Sequence, residues 1–164
     1  MPAVSGWHGV LLLVEQLLQF QQEADPVDVG TDRLLPVSAT DSRGRAEHKL
    51  SAPGARSGRV PLLAYGAESG LGRAVRALHG ASLAGADVVV TAHLATVLRS
   101  LALEGRGLAF LPASLIAADL EAGHLVPAGS AAWEIALKLR LYRRRGPLSD
   151  RAEAFWAAAR TVTS

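Results

Sequence analysis

Few residues in this chain are of the types that do chemistry: five histidines (His8, His48, His79, His93 and His124), one serine set among glycines at Ser69, and no cysteine. Metal capture by histidine is simplest from positions i and i+4 of one helix, and no two of these histidines have that spacing. Without cysteine, zinc ribbons, disulfides and thiolate nucleophiles drop out together. Ser69 lies in Gly66-Ala67-Glu68-Ser69-Gly70, one residue out of register with a nucleophile elbow, whose serine stands two residues from each glycine. Gly70-Leu71-Gly72 opens a helix after a strand, as a dinucleotide fingerprint would. The third glycine position, however, holds Val75, and no suitably placed acidic residue follows the next strand. The expectation is a binding protein and not an enzyme, with no cofactor and no metal.

The charge pattern narrows the partners. Seventeen basic residues stand against fifteen acidic ones, and all the basic residues but Lys49 and Lys138 are arginine. A nucleic-acid surface needs several cations on one face, and here they are scattered. The exception, Arg143-Arg144-Arg145, follows an alternating strand and precedes Gly146 and Pro147, which reads as a solvated strand end. The apolar run Val10 to Val14 is stopped by Glu15 with no basic segment before it, so neither a signal peptide nor a membrane span is expected. A cytoplasmic protein with no membrane partner is the reading.

The elements that must position these residues follow from periodicity. Residues 7 to 20 carry Val10, Val14, Leu17 and Leu18 at helical spacing, and Leu34 to Ser38 reads as a strand that Pro36 consigns to an edge or a hinge crossing. Thr40 to Arg59 is an exposed connection rich in Ser, Arg, Gly and Pro. Strands and helices then alternate. Pro61 to Tyr65 is a strand; Ser69 caps a helix with Leu71, Ala74, Val75 and Leu78 on its inner face, ended by Gly80. Asp87 to Val90 is a strand, and Thr91 is expected to cap a helix that buries Leu94, Val97, Leu98 and Leu101 and stops at Gly105. Gly107 to Leu111 is a strand, and Pro112 begins a helix with Leu115, Ile116 and Leu120 inside and Gly123 at its end. Ile135, Leu137, Leu139 and Leu141 alternate with polar residues as a half-buried strand, and a last helix from Ser149 buries Ala152, Phe155, Trp156 and Ala159. The pattern predicts an α/β fold with a largely parallel sheet.

The stretch His93 to Val126, HLATVLRSLALEGRGLAFLPASLIAADLEAGHLV, resembles the second half of the effector (substrate)-binding domain of LysR-type transcriptional regulators. Its markers are a helix, Glu-Gly-x-Gly, an apolar strand, Leu-Pro, a helix and Leu-x-x-Gly-x-Leu. LRLYRRRGPLSDRAEAFWAAAR, Leu139 to Arg160, is similar to the family's closing strand, Pro-Leu-Ser turn and terminal helix. DRLLPVSATDSRGR and PLLAYGAESGLGR match more faintly, so the likeness runs from about Asp32 to Val162. Nothing before it matches the strand, helix and strand that open the family's effector domain, nor a winged helix-turn-helix with its linker helix.

The resemblance implies a two-lobed fold like that of periplasmic type II binding proteins, its first lobe incomplete. On this division residues 1–59 form the incomplete first-lobe segment and hinge connection, 60–128 the second lobe, and 129–164 a crossing strand and terminal helix returning to the first lobe. It also implies a small-molecule effector, an organic anion held where strand ends and helix amino termini converge. The candidate ligand-binding residues are Tyr65, Ser69, Thr91 and His93. For Ser69 and Thr91 plain helix capping competes with ligand contact; His93 either adds charge when protonated or simply sits exposed. Partners implied are a second copy of the chain, paired through residues 7 to 20 and the helix Ala92 to Glu104, and DNA only through a winged helix-turn-helix missing from this sequence. A solute receptor of the same fold without a DNA function is the alternative.

Overall fold

The computed structural model describes residues 24–54, 59–144 and 146–161. The helix expected over residues 7 to 20 lies outside them, as does Arg145. The described residues belong to two compact units: Asp32 to Leu137, and residues up to Thr31 together with those from Lys138 onward.

The Asp32–Leu137 unit is built on a sheet. Its strands are β1 (Ala24–Ala39, of which the first half belongs to the other unit), β2 (Pro61–Tyr65), β3 (Asp87–Ala92), β4 (Leu108–Pro112) and β5 (Leu125–Pro127), in the order β3-β2-β4-β1-β5. β2 runs parallel to β3 and β4, as strand-helix alternation requires, whereas β1 is antiparallel to β4 and β5. The sheet is therefore mixed where a largely parallel one was expected.

Pro36 does not mark an edge: it is buried opposite Phe110, between β4 and β5. Its carbonyl accepts from Ala128 N–H at 2.8 Å, just past the end of β5. A strand residue's N–H and C=O point to the same side, so the missing donor faces the place where the β5 ladder stops, and no bond is lost.

Helices cover both faces. On one lie α1 (Gly70–His79) and a turn of 3₁₀ helix (Ala131–Trp133), over Leu34, Leu62, Leu108, Phe110 and Trp133. On the other lie α2 (Ala95–Leu103) and α3 (Ala113–Glu121), over Leu35, Val37, Leu63, Ala109 and Leu111. Runs such as Leu34 to Val37 are apolar without alternation because both faces of the strand are covered.

Local details depart from periodicity in ways packing explains. α1 buries Gly72, Val75 and His79, and leaves Leu78 64% exposed. It docks on its glycine, since a Cβ at position 72 would stand 2.8 Å from both Tyr65 Cβ and the Gly66 carbonyl oxygen. His79 tilts against Trp133 with ring centroids 4.8 Å apart, and burial pushes its pKa down. α2 buries Leu98 and Ala102, and leaves Leu94 and Val97, both expected inside, 63% and 43% exposed. Pro112 is the last residue of β4, paired with Leu34, and the helix begins one residue later. Gly105 and Gly123 end their helices with φ of 71° and 70°, the left-handed conformation glycine accepts without strain.

In the second unit the first half of β1 and β6 (Ile135–Arg144, within the unit from Lys138) are joined by Arg140 Nε to Asp28 Oδ1 at 2.8 Å. α4 (Asp150–Thr161) half-buries Ala152, Trp156 and Ala159. Arg143 stands 5.6 Å over the Trp156 ring and pairs with Glu153, and Phe155, expected inside, is 63% exposed.

Candidate functional site

The carboxyl ends of β2 and β3 meet at a corner made mostly of main chain. Gly66 N–H donates to the Ala92 carbonyl at 3.0 Å, which ties the two strand ends together. The chain then turns through Ala67 and Glu68, with Ser69 N–H donating back to the Gly66 carbonyl at 3.1 Å, and enters α1. Ser69 caps that helix as expected: its φ and ψ of −69° and 132° are extended, and its Oγ accepts from Gly72 N–H at 3.3 Å.

His93 lies against the same corner. A Cβ on Gly66 would meet its ring at 2.7 Å from Cε1 and 2.8 Å from Nδ1, so the ring rests on the glycine and no side chain could replace it without moving His93. The residue itself is exposed. Ser69 and His93 thus share Gly66 as a common neighbour, one through the loop hydrogen bond and the other through ring contact.

The corner is also more cationic than its sequence suggested. α1 has no acidic residue in its first turn, and two arginines reach back from it to the loop. Arg73 Nη1 donates to the Glu68 carbonyl at 2.9 Å, and Arg76 Nη2 donates to the Ala67 carbonyl at 2.8 Å. Neither arginine has a carboxylate partner among the described residues. Cations beside a helix amino terminus oppose its dipole, unlike the acidic residues that usually stand there. That inversion was the signal, in Ser69-Gly70-Leu71-Gly72-Arg73, by which Arg73 could have been found; Arg76 stands in the last turn, where a cation agrees with the dipole, and gave no such signal.

The other two candidates are not brought to this corner. Thr91 was expected to cap the following helix, but it is the penultimate residue of β3, whose partner in β2 is Ala64. The residue preceding α2 is Leu94, which has no side chain to cap with. Strand pairing between β2 and β3 persists to Tyr65 and Ala92, so Thr91 is held in the ladder and faces the α1 side. Tyr65 belongs to the apolar cluster on the α2 and α3 side. It is buried, its hydroxyl has no partner among the described residues, and burial pushes its pKa up.

Behind α2, away from the corner, Arg99 holds the buried Asp119 with two hydrogen bonds, one of them 2.8 Å from Nη2 to Oδ1. The Arg99 hydrogen bond keeps the carboxyl below its usual range even though burial works the other way. At the start of α3, Asp32 of β1 supplies the cap that Pro112 cannot, accepting from Ser114 Oγ at 2.6 Å and Ser114 N–H at 3.3 Å. Among the described residues no group of His, Cys, Asp or Glu side chains comes together to hold a metal ion, and no helix is long and apolar enough to cross a membrane.

The model of the LysR substrate binding domain matches residues 23–164. The HTH-type transcriptional regulator YjiE of Escherichia coli K12 is 29% identical over 139 residues, 84% of this chain and 44% of that protein. The HTH domain-truncated transcriptional regulator QseD of Escherichia coli O157:H7 is also 29% identical over 139 residues, here 55% of that protein. The chain therefore spans about half the length of the curated relatives it matches. Among solved structures, the apo regulatory domain of HypT from Salmonella typhimurium aligns with a TM-score of 0.77 at 25% identity, over 98% of this chain and 80% of that one. Its bromide-bound form aligns with a TM-score of 0.75 at 26% identity, over 98% and 79%.

Proposed function

Because the chain belongs to the LysR substrate-binding domain family, we propose that it is the effector-sensing part of a LysR-type transcriptional regulator and that its effector is a small organic anion. The observation that carries this reading is the corner at Gly66. There the first turn of α1 holds no acidic residue, Glu68 standing exposed just before its cap, with Ser69 and His93 beside Gly66 and Arg73 and Arg76 turned toward the loop. Free N–H groups at a helix start together with unpaired guanidinium groups attract an anion. The bromide captured in the HypT regulatory domain supports an anion in this family's domain. Catalysis is not part of the reading, since Gly72 N–H is the only partner of Ser69 Oγ among the described residues and no base activates it.

The rest of the function is proposed on the same footing. DNA is reached through a winged helix-turn-helix, which the described residues do not contain, and the protein works in the cytoplasm. It pairs with a second copy through α2, whose Leu94 and Val97 are left largely exposed by its own unit. Sedimentation should show a dimer that Val97→Glu shifts toward monomer; a parent chain that stays monomeric at high concentration would remove this part of the proposal.

Thermal shift with a panel of small carboxylates, at fixed ionic strength, tests the site. Arg73→Met and His93→Ala should each weaken the stabilising anion roughly tenfold, the worth of a charged hydrogen bond. An anion that stabilises both variants as well as the parent does not sit at this corner.

A further inference from the structure

A pocket opens behind that corner and shares Ala67, Gly72 and Arg76 with it. Between α1 and the β2–β3 side of the sheet is a cavity of about 390 Å³. Its apolar wall is Leu62, Val75, Leu83, Val88 and Phe110, and its polar residues include Arg76 and Thr91. Strand register explains the composition: Leu62 pairs with Val88 and Ala64 with Thr91, so all four point to the α1 face, and small Ala64 leaves the floor low. α1 is pinned at its amino-terminal end, where Gly72 touches the end of β2, and the cavity extends back from there to Gly80 and Leu83.

The size is that of a small-molecule site, which usually combines an apolar lining with a few placed polar groups. Arg76 supplies the directional charge. Its bonds go to two main-chain carbonyls, Tyr65 at 3.5 Å and Ala67 at 2.8 Å, and no carboxylate among the described residues neutralises it. A guanidinium has five donors in a planar fork, so a carboxylate can join the carbonyls it already holds.

We propose that this cavity is a second ligand site, adjoining the corner at Gly66 but lined by neither Ser69 nor His93, and that it takes an amphipathic organic anion: a flat apolar body against Val75, Val88 and Phe110, with its acid group toward Arg76 and Thr91. Thr91, which sequence periodicity assigned to a helix cap, is on this reading a ligand donor of the cavity. Arg76 lines the cavity and also hydrogen-bonds the loop of the corner.

The test uses the full chain and naphthalene-1-carboxylate as probe, read by calorimetry and by backbone amide shifts. Saturable binding with one site per chain is expected, with shifts concentrated on β2, β3 and α1 between Leu62 and Thr91. Naphthalene-1-carboxamide, which lacks the charge, should bind about tenfold more weakly, as should the parent probe to Arg76→Met. Ala64→Phe fills the floor and should abolish binding. Val88→Phe fills the cavity from a strand residue that is 55% exposed, so it keeps the test decisive if the first variant does not fold. Ser69→Ala and His93→Ala should leave the affinity unchanged, which separates this site from the corner. Undiminished binding to Val88→Phe, equal binding of the amide, or no saturable binding to the parent overturns the proposal.

Discussion

The two faces of the sheet in the Asp32–Leu137 unit are made by the same strands and finished differently. On the α2 and α3 side, Leu98, Ala102 and Ile116 are fully buried over Leu63, Ala109 and Leu111, and the Arg99–Asp119 pair ties the two helices together. On the α1 side a single helix and a 3₁₀ turn cover the sheet, His79, Phe110 and Trp133 form an aromatic group, and a cavity remains beside it with Phe110 in its wall. A closed face holds the strands in register; the open one leaves room beside the strand ends for something other than protein. One continuous sheet is thus packed closed on one side and left open on the other.

Truncations on the two faces should differ most. Leu98→Ala removes a fully buried side chain and should cost about 3 kcal/mol, within the usual range for leucine in a packed core. Val75→Ala, on a helix that already borders an open cavity, should cost roughly 1 to 2 kcal/mol because fewer contacts are lost. Equal losses in denaturant unfolding would mean that the α1 face is as tightly packed as the other and the contrast is not real.

Next in size is the clamp. Arg99→Met leaves Asp119 buried without its partner and should destabilise by about 2 kcal/mol, less than for a sealed pair because the Arg99 side chain is 34% exposed. The Arg99 hydrogen bond holds the Asp119 carboxyl below the ordinary aspartate value, so the pair's contribution is present above that ordinary value and is lost as pH falls through the lowered one. The gap between parent and variant should therefore be full at neutral pH and narrow in acid. A gap that is constant down to the acid limit would show that the loss came from packing and not from the ion pair.

The sequence showed the apolar strands and the helix stops because those signals are local. Pro61 to Tyr65 is a strand with the bounds its composition set, and Gly105 and Gly123 end their helices in the conformation that only glycine takes easily. What could not be read is set by partners distant in sequence. β1 carries residues that disfavour strands, Pro26, Asp28 and Gly30 in its first half and then Asp32, yet Asp28 meets Arg140 and Asp32 caps a helix that begins near Ser114. On the inner faces of α1 and α2 the expected Leu71, Ala74, Val75, Leu98 and Leu101 do pack on the sheet, while Leu78, Leu94 and Val97 stay exposed because each helix makes its closest approach on a small residue, Gly72 or Ala102. At the corner, Ser69 was legible as a cap and His93 as a candidate, while Arg73 and Arg76 were not, because each reaches the loop only by folding a long side chain back along α1.

The smallest effects separate two residues that had looked alike. Ser69 and Thr91 both follow a strand and both could cap a helix, so periodicity assigned them one role. In the structure Ser69 Oγ accepts from Gly72 N–H, whereas Thr91 remains in the β3 ladder, with Leu94 standing at the head of α2. Ser69→Ala should then cost about 1 kcal/mol, the ordinary loss of a cap. Thr91→Ala should cost less than about 0.5 kcal/mol, because the residue is exposed and its strand hydrogen bonds come from the main chain. With naphthalene-1-carboxylate the order should reverse: Thr91→Ala weakens binding in the cavity and Ser69→Ala does not. Thermal unfolding of the two variants, each with and without the probe, gives all four numbers. A Thr91→Ala protein that loses as much stability as Ser69→Ala and keeps full probe binding would return Thr91 to a structural role and leave the cavity without its second polar group.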